Sequence, residues 1–302
     1  MCAGGDAGDG GTVIRFDSLD RFRARGRDAI GPGPAALMIV EDDVELVSTL
    51  DHLAARGFRA VVAAGPPDIA LPDHSALTAA VTVNTRAPKA FVPVVNAAIA
   101  AARPGTWLHY CYNAEYLHYP FCEHRSVGEM LAFHAEERRE AMLTYVVDLY
   151  APDLAAHPSG VDRGGAHLDR AGYFALPRLD PANNDWPKER QLDFHGGLRW
   201  RFEEHVAPDR RRIDRIALFR TRNGLRLRGD HTFAQAEYNT YACPWHHNLT
   251  AALCSFRAAK ALRANPVSRD EIESFTWPGS VPFRWESRQL MDLGLMEPGQ
   301  WF

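Results

Sequence analysis

The sequence lacks any run of about 18 apolar residues, the length that a membrane-spanning helix needs. It also lacks a basic segment followed by an apolar one near its beginning, so no secretory signal is indicated. Its cysteines are few, with 5 scattered over 302 residues. An odd, scattered set is typical of reduced thiols rather than of a disulfide framework. We therefore expect a cytoplasmic chain with no transmembrane segment.

Several common functional motifs are missing as well. The sequence contains no P-loop, no Gly-x-Ser-x-Gly nucleophile elbow and no Gly-x-Gly-x-x-Gly dinucleotide motif. The formal net charge is -4, which does not indicate a nucleic-acid partner. Hydrophobic residues make up 46% and charged residues 24% of the chain, as in ordinary globular proteins. The length is sufficient for one large α/β domain with a substantial core.

Apolar strand patterns alternate with helical patterns as far as about residue 150. A capping box of the Ser-x-x-Glu type, Ser126 and Glu129, indicates where one helix begins. This alternation predicts a mostly parallel sheet with helices on its faces. The predicted strands are 36–40, 58–64, 81–84, 106–112 and 141–150, and the predicted helices are 44–57, 90–102 and 126–140.

The second half of the sequence is less regular. We expect a turn with a short strand at 195–205, another strand at 211–220, and either a helix or a strand followed by a helix at 246–265. Two short helices are expected near the end. The predicted organisation is a disordered tail at 1–12, an α/β domain at 13–265 and an irregular, helical C-terminal extension at 266–302.

Polar residues follow two of the predicted strands. The stretch "YCYNAEYLHYP" places Asn113 and Glu115 after one strand, and Asp148 lies at the end of another. Ligands of open parallel sheets bind at the carboxyl ends of the strands. We therefore expect Asn113, Glu115 and Asp148 to open into a common cleft. For Asp148, two roles remain open, because it could orient a substrate hydroxyl or cap a turn.

The block at 107–150 resembles the central block of a branch of the family 2 glycosyltransferases. In that branch a strand ends in Asp-x-Asp-Glu, apolar residues and Tyr-Pro follow, and a helix and a strand ending in Asp-Met-Tyr come next. The elements "EYLHYP", the capped helix and "DLY" stand in the same order here. The segment 38–65, "GGLRWRF" at 196–202 and "ALCSFR" at 252–257 extend the resemblance over roughly residues 37–260. It implies a GT-A fold.

The resemblance also implies a site. Asp42, Asp43, Asn113, Glu115, Gly196, Gly197 and Arg199 would bind substrate, and Asp148 would take part in catalysis. The family's two aspartates are replaced here by Tyr112 and Ala114, and its histidine by Ser255. Glu115 is therefore the one carboxylate of that cluster left as a metal ligand, and Mg²⁺ or Mn²⁺ would be weakly held.

Two further groups are candidates on chemical grounds. Asp230 and His231 could form a general-base pair, although such pairs are also frequent by chance in loops. Cys243, His246 and His247 could join Cys122 or His124 around zinc, but their spacing matches no standard zinc finger. The glycine pair before Arg199 would let the backbone approach a ligand, or would simply form a turn.

These observations lead to two hypotheses. The chain could be a glycosyltransferase that moves a sugar from a nucleotide-sugar donor to a carbohydrate or other hydroxyl acceptor. Alternatively, it could be an inactive glycosyltransferase-like protein that binds a sugar, a nucleotide or a protein partner. The missing aspartates favour the second hypothesis, whereas the polar strand ends and the Gly-Gly-x-Arg element favour the first.

Overall fold

The structure is a computed structural model, which describes residues 13–240 and 248–301. The predicted tail at 1–12 and the residues Cys243, His246 and His247 lie outside the described residues. The strands are β1 (Ile14–Phe16), β2 (Ala35–Ile39), β3 (Ala60–Gly65), β4 (Leu77–Thr82), β5 (Trp107–Tyr112), β6 (Glu115–His118), β7 (Ala141–Tyr150), β8 (His167–Asp169), β9 (Phe174–Asp180), β10 (Trp186–His195), β11 (Asp214–Arg220), β12 (Ala251–Ser255) and β13 (Ser280–Pro282).

Helices connect and cover these strands. They are α1 (Leu19–Arg25), α2 (Arg27–Ile30), α3 (Leu46–Ala55), α4 (Phe91–Ala101), α5 (Val127–Glu136), α6 (Leu198–Arg201), α7 (Arg257–Ala264), α8 (Pro266–Glu271) and α9 (Ser287–Asp292). Short 3₁₀ turns occur at Pro181–Asn183, Glu203–His205, Pro208–Arg210 and Ala236–Asn239.

Eleven strands form one large sheet, whose main path runs β1-β4-β3-β2-β5-β11-β7-β12-β6. The strands from β1 to β5 along this path are parallel to one another. Beyond β5 the sheet is mixed, because β11 is antiparallel to both of its neighbours and β6 is antiparallel to β12. Strands β8 and β13 extend the sheet beside the end of β7. The predicted α/β class is confirmed.

The core lies between the sheet and the helices on its faces. Every residue of β2 and β3 is buried, as expected for parallel strands that are covered on both sides. Helix α3 contributes Leu46, Leu50 and Leu53 to this core, and α5 contributes residues of its inward face. The strands near 37–40, 58–64, 107–112 and 141–148 share one sheet, on which both helices pack, as predicted, but the sheet is mixed rather than mostly parallel.

Local sequence signals explain the two best-predicted helices. Helix α5 begins with the predicted capping box: the Ser126 Oγ accepts a hydrogen bond from the Glu129 backbone N–H, and the Glu129 carboxylate accepts one from the Ser126 N–H. The helix ends at Glu136, earlier than predicted. Helix α4 carries Pro93 in its first turn, where a missing N–H leaves no bond unmade.

Strand β11 occupies the middle of the sheet although it comes late in the chain. Its Leu218 pairs with His109 of β5 on one side and with Met142 of β7 on the other. Strands β5 and β7 are therefore parallel to each other but are joined only through β11. This arrangement brings the ends of β5 and β7 to the same edge of the sheet.

Several sequence predictions need correction. Segment 195–205 forms the end of β10, then α6 and a 3₁₀ turn, and the predicted short strand after the turn is wrong. The strand predicted at 81–84 lies at Leu77–Thr82. The described part of 246–265 is a strand followed by a helix. The antiparallel pair of β9 and β10 was not predicted, and the C-terminal extension contains β13 as well as helices.

The longest helix in residues 13–240 and 248–301 is α4, which has 11 residues. A membrane span requires about 20 residues. Within the described residues, therefore, the helices are all too short or too polar to cross a bilayer.

Candidate functional site

Asn113 follows β5 at the carboxyl edge of the sheet and is fully buried. Its Oδ1 accepts a hydrogen bond from the Glu41 backbone N–H at 3.0 Å. Its Nδ2 donates to the Asp42 Oδ1 at 2.6 Å and to the Val44 carbonyl oxygen at 2.9 Å. Asn113 therefore holds the loop after β2 against the end of β5, and its amide has an internal structural role.

Glu115 is the centre of a buried ion pair. Both oxygens of its carboxylate accept hydrogen bonds from the Arg215 guanidinium, at 2.7 and 3.2 Å. The Tyr112 backbone N–H donates to Oε2 at 2.8 Å, and the Ser255 hydroxyl donates to Oε1 at 3.0 Å. Burial by itself would raise the pKa of Glu115, but the charge and hydrogen bonds of Arg215 outweigh burial and lower that pKa to about 2.

This arrangement does not fit a divalent cation at Glu115. Mg²⁺ and Mn²⁺ require several free oxygen ligands, whereas both Glu115 oxygens and the Asn113 oxygen already accept hydrogen bonds from the protein. A cation would have to displace the Arg215 guanidinium. Across the residues that the structure describes, no cluster of three or more His, Cys, Asp or Glu side chains could hold a metal. The geometry therefore disagrees with the expected metal ligand.

Asp148 lies beside Glu115 at the same edge. Ser255 of β12 pairs with Asp148 of β7 on one side and with Glu115 of β6 on the other. With strands about 4.8 Å apart, the Cα atoms of Glu115 and Asp148 are roughly 10 Å apart. The predicted proximity holds, but the predicted open cleft is wrong, because Asn113, Glu115 and Asp148 are all buried.

The carboxylate of Asp148 is held by the start of α6. Its Oδ2 accepts a hydrogen bond from the Arg199 backbone N–H at 3.3 Å, and its Oδ1 lies 3.3 Å from the Arg199 Nε. Of the two roles left open from the sequence, the structure shows Asp148 capping a turn. Its Oδ1 is buried without a hydrogen-bond partner. Burial raises the pKa of Asp148, and the Arg199 charge opposes that rise.

The glycine pair is required by neighbouring side chains. Gly197 has a φ of 65°, and a Cβ there would lie 2.9 Å from the Asp148 Oδ2. A Cβ on Gly196 would lie 2.3 Å from the Tyr173 ring. The close approach that the sequence suggested is therefore an approach to Asp148 and Tyr173. The Tyr173 hydroxyl, like the Asp148 Oδ1, is buried without a hydrogen-bond partner.

Arg199 points inward, and its side chain is only 11% exposed. Its Nη1 donates to the Arg212 carbonyl oxygen at 3.2 Å, and its Nε lies beside Asp148. Burial lowers the pKa of Arg199, and the Asp148 carboxylate counteracts that effect. The predicted phosphate-binding arginine thus neutralises a buried carboxylate in this structure.

Two further ion pairs form the outer rim of the strand ends. Helix α7 supplies Arg257, whose Nε and Nη2 donate to the Glu41 carboxylate at 2.7 Å each, and Lys260, whose Nζ lies 2.9 Å from both Asp42 oxygens. The Arg257 guanidinium also lies 3.7 Å from the centre of the Tyr112 ring. Arg257 and Asp42 remain partly accessible, with 32% and 37% of their side chains exposed, whereas only 10% of the Lys260 side chain is exposed. Asp43 beside them is exposed.

We call these residues the strand-end cluster: Glu41, Asp42, Glu115, Asp148, Arg199, Arg215, Arg257 and Lys260. Sequence reasoning missed Arg215, Arg257 and Lys260. Arg257 is the last residue of "ALCSFR", an element that the resemblance had already indicated, so its position was the available signal. Arg215 is the last residue of the basic segment 209–215, and a run of this kind is more often a solvated face than a phosphate site.

Asp230 and His231 do not form the predicted pair. The Asp230 Oδ1 accepts hydrogen bonds from the backbone N–H and hydroxyl of Thr232, at 3.1 and 2.6 Å. The His231 ring stacks on Phe91, with 4.0 Å between the ring centres, and its Nδ1 lies 2.9 Å from the Tyr110 hydroxyl. Burial lowers the pKa of His231 well below its ordinary value. Each side chain is therefore engaged by a different partner.

A comparison of the chain with models of known protein families finds no match, and a comparison with curated protein sequences finds none either. The residues of the strand-end cluster and the sequence resemblance are therefore what indicates a function.

Proposed function

We propose that this chain is a glycosyltransferase-like protein that transfers a sugar from a nucleotide-sugar donor to a hydroxyl acceptor. The observation that carries the proposal is the position of Arg257 and Lys260 at the carboxyl edge of the sheet. Both cations stand where open α/β sheets bind ligands, and 32% of the Arg257 side chain is exposed, against 10% of the Lys260 side chain. Ligand binding at this edge would use the same end of the sheet as the sequence resemblance implies.

The chemistry of the rim suits a diphosphate. A nucleotide-sugar donor needs neutralisation of its leaving group, which arginine and lysine can supply in place of a metal. At rest, Glu41 and Asp42 neutralise Arg257 and Lys260. A bound diphosphate would take the place of these carboxylates, and the two carboxylates would turn toward solvent. The buried Glu115–Arg215 pair would remain intact beneath.

Asp148 is the candidate for orienting the sugar. Its Oδ1 and the Tyr173 hydroxyl are both buried and both lack hydrogen-bond partners. The Arg199 guanidinium compensates the charge of Asp148 as an ion pair, but neither atom makes a hydrogen bond. A ligand hydroxyl or an ordered water would satisfy them. The backbone of Gly196 and Gly197 lies against both side chains. A movement of this glycine pair would open a path to Asp148.

A second function is favoured by one specific observation. Glu115 is fully enclosed by Arg215, Ser255 and the Tyr112 backbone, so the acidic motif of the related enzymes is replaced by a permanent ion pair. This arrangement suits a protein that binds a nucleotide or a sugar without turnover.

Two measurements test the proposal and separate the alternatives. Calorimetric titration of UDP with Mn²⁺ and with EDTA should give saturable binding that does not depend on the metal. Incubation with UDP-sugars and simple sugar acceptors should then release UDP. Binding without release would establish the second function. Absence of binding by UDP and by the other nucleoside diphosphates would contradict the transfer reaction and the binding of a nucleotide without turnover.

A further inference from the structure

A cavity lies away from the strand-end cluster, on the outward side of α4. It measures about 810 Å³ and is bordered by α1, α2, α4 and the segment 221–226 that follows β11. Its floor is largely apolar, and the aliphatic lining residues are Leu19, Val92, Pro93, Ala97, Ile99 and Leu225. The residues that line it include no member of the strand-end cluster.

The walls of this cavity are basic. Arg23 of α1, Arg27 of α2 and Arg222 and Arg226 of segment 221–226 all line it, and we call it the arginine groove. The single lining carboxylate is Asp20, so the four arginines exceed it by three charges. Arg222 is also paired with Glu237, outside the groove, which leaves an excess of about two. The excess is local, because the whole chain carries a net charge of -4.

Three of these arginines have no acidic partner. Within residues 13–240 and 248–301, Arg23, Arg27 and Arg226 take part in none of the ion pairs, whereas most buried or half-buried arginines elsewhere are paired. All three side chains are exposed to the groove or to solvent. Like charges that converge on one concavity from separate elements repel one another, so an anion bound between them would relieve that repulsion.

The walls are held in place by specific contacts. Phe22 of α1 is buried against the junction with α2, where a Cβ on Gly26 would lie 2.5 Å from its ring. On the opposite wall, Asn96 of α4 fixes the segment by two hydrogen bonds to the backbone of Leu227, at 2.9 and 3.0 Å. A turn from Arg222 to Leu225, with Gly224 at a φ of 76°, separates the two arginines of that wall.

We propose that the arginine groove binds a small organic phosphate that carries at least two negative charges and an apolar body. The forked guanidinium groups suit phosphate oxygens, and they reach the groove from two opposite walls. The aliphatic floor along α4 would cover the apolar body of the ligand. The groove is independent of the proposed donor site, because it lies on the outward side of α4 and shares no lining residue with that site.

The test uses two probes with the same headgroup, inorganic phosphate and phenyl phosphate. The double variant Arg27→Gln/Arg226→Gln removes one unpaired arginine from each wall. Arg25→Gln is the matched control, because Arg25 is an exposed residue of α1 that does not line the groove. Calorimetry at low ionic strength gives the dissociation constants, and thermal melting verifies that each variant is folded.

We expect wild-type protein to bind phenyl phosphate more tightly than inorganic phosphate, since only phenyl phosphate can contact the floor. The double variant should weaken phenyl phosphate binding by about tenfold or more, and Arg25→Gln by less than about twofold. Three outcomes would overturn the proposal: no saturable binding at millimolar probe, equal weakening by Arg25→Gln, or loss of binding in Arg257→Gln instead of the double variant. The last outcome would assign the phosphate to the strand-end cluster.

Discussion

Arg215 donates to both oxygens of Glu115, at 2.7 and 3.2 Å, although 100 residues separate the two along the chain. Their side chains are 2% and 0% exposed. A buried pair of this kind restrains the structure strongly, because either partner alone would be an uncompensated charge in the protein interior. The pair also occupies the carboxylate that the sequence resemblance made the expected metal ligand, so Glu115 is not free to bind a cation.

The first prediction concerns the stability that depends on this pair. Glu115→Gln leaves the Arg215 charge buried without its counterion, so we expect the free energy of unfolding to fall by about 3–5 kcal/mol. Urea denaturation followed by circular dichroism measures this change. The matched control is Glu203→Gln in the Arg211–Glu203 pair, where 52% of the Glu203 side chain is exposed. That substitution should cost less than about 1 kcal/mol.

The Glu115→Gln variant also tests whether Glu115 binds a metal. If wild-type protein bound Mn²⁺ at micromolar concentration and Glu115→Gln abolished that binding without a loss of stability, Glu115 would be a metal ligand. The ion pair would then not be its resting state.

The second prediction concerns which arginine binds a nucleoside diphosphate. From the sequence alone, Arg199→Ala is expected to weaken UDP binding more than Glu115→Gln does. The structure shifts that expectation to Arg257, because Arg199 is buried against Asp148 whereas Arg257 lies at the rim. We expect Arg257→Gln to weaken UDP binding about tenfold or more, as for removal of one charged contact.

Two further arginine variants are compared with Arg257→Gln. Arg199→Ala should mainly lower the free energy of unfolding, because it leaves the Asp148 carboxylate buried without its partner. Arg288→Gln should change neither quantity, since 78% of the Arg288 side chain is exposed on α9. Equal UDP affinity in wild type and Arg257→Gln, measured by calorimetry, would remove Arg257 from the site.

The third prediction concerns the glycine at the start of α6. Gly197→Ala places a Cβ 2.9 Å from the Asp148 Oδ2 at a φ of 65°, so we expect a loss of about 1–3 kcal/mol. Gly128→Ala is the control with the opposite sign. Gly128 is exposed within α5, and its nearest non-neighbouring atom would be 3.8 Å from the new Cβ. Alanine there should stabilise by about 0.5–1 kcal/mol. Urea midpoints of the two variants on the same side of wild type would contradict this reasoning.

The fourth prediction concerns pH. Burial lowers the pKa values of His109, His118 and His134 to about 4 each. In the unfolded chain the histidine pKa is about 6.5, so the unfolded state binds more protons between these values. The free energy of unfolding should therefore be constant above about pH 7 and should fall as the pH decreases from 6.5 toward 4. Each of these three histidines should lower the free energy of unfolding by about 2–3 kcal/mol at pH 4.5, relative to its value above pH 7.

Urea denaturation at a series of pH values measures this dependence. Burial also lowers the pKa values of His52 and His231, so His134→Leu should flatten the fall by about one fifth, because it removes one of five such protonations. His124→Leu is the control: His124 is exposed beside the start of α5, and its loss should leave the slope unchanged. An unchanged slope in His134→Leu would show that its protonation does not oppose folding.

The sequence predicted best those elements whose signals are local. The capping box predicts where helix α5 begins, and short, wholly apolar runs predict strands β2 and β3. The antiparallel pair of β9 and β10 was missed because several of its apolar residues lie outside the core. Leu176, Leu179 and Trp186 are 51%, 52% and 67% exposed, so they do not give the pattern of a half-buried strand.

The site was predicted in location but not in chemistry. That Asn113, Glu115 and Asp148 meet follows from the parallel order of strands, which the pattern indicated. That Glu115 is neutralised by Arg215 depends on β11 entering the sheet beside β5, a long-range pairing that no local signal contains. For the same reason, the sequence does not predict the short helix after Gly197 or its contact with Asp148.

The central position of β11 has a consequence for folding kinetics. Strands β5 and β7 have no direct pairing, so the two halves of the sheet stay apart until a strand from residues 214–220 joins them. When residues 214–220 pair with β5, they close a loop of about 100 residues. Such long-range pairing raises the contact order and slows folding. We expect refolding to populate a state in which β1 to β5 and their helices are protected from hydrogen exchange before Leu218 and Phe219 are. In that state the apolar edges of β5 and β7 are uncovered, and chains refolding at high concentration would associate through them.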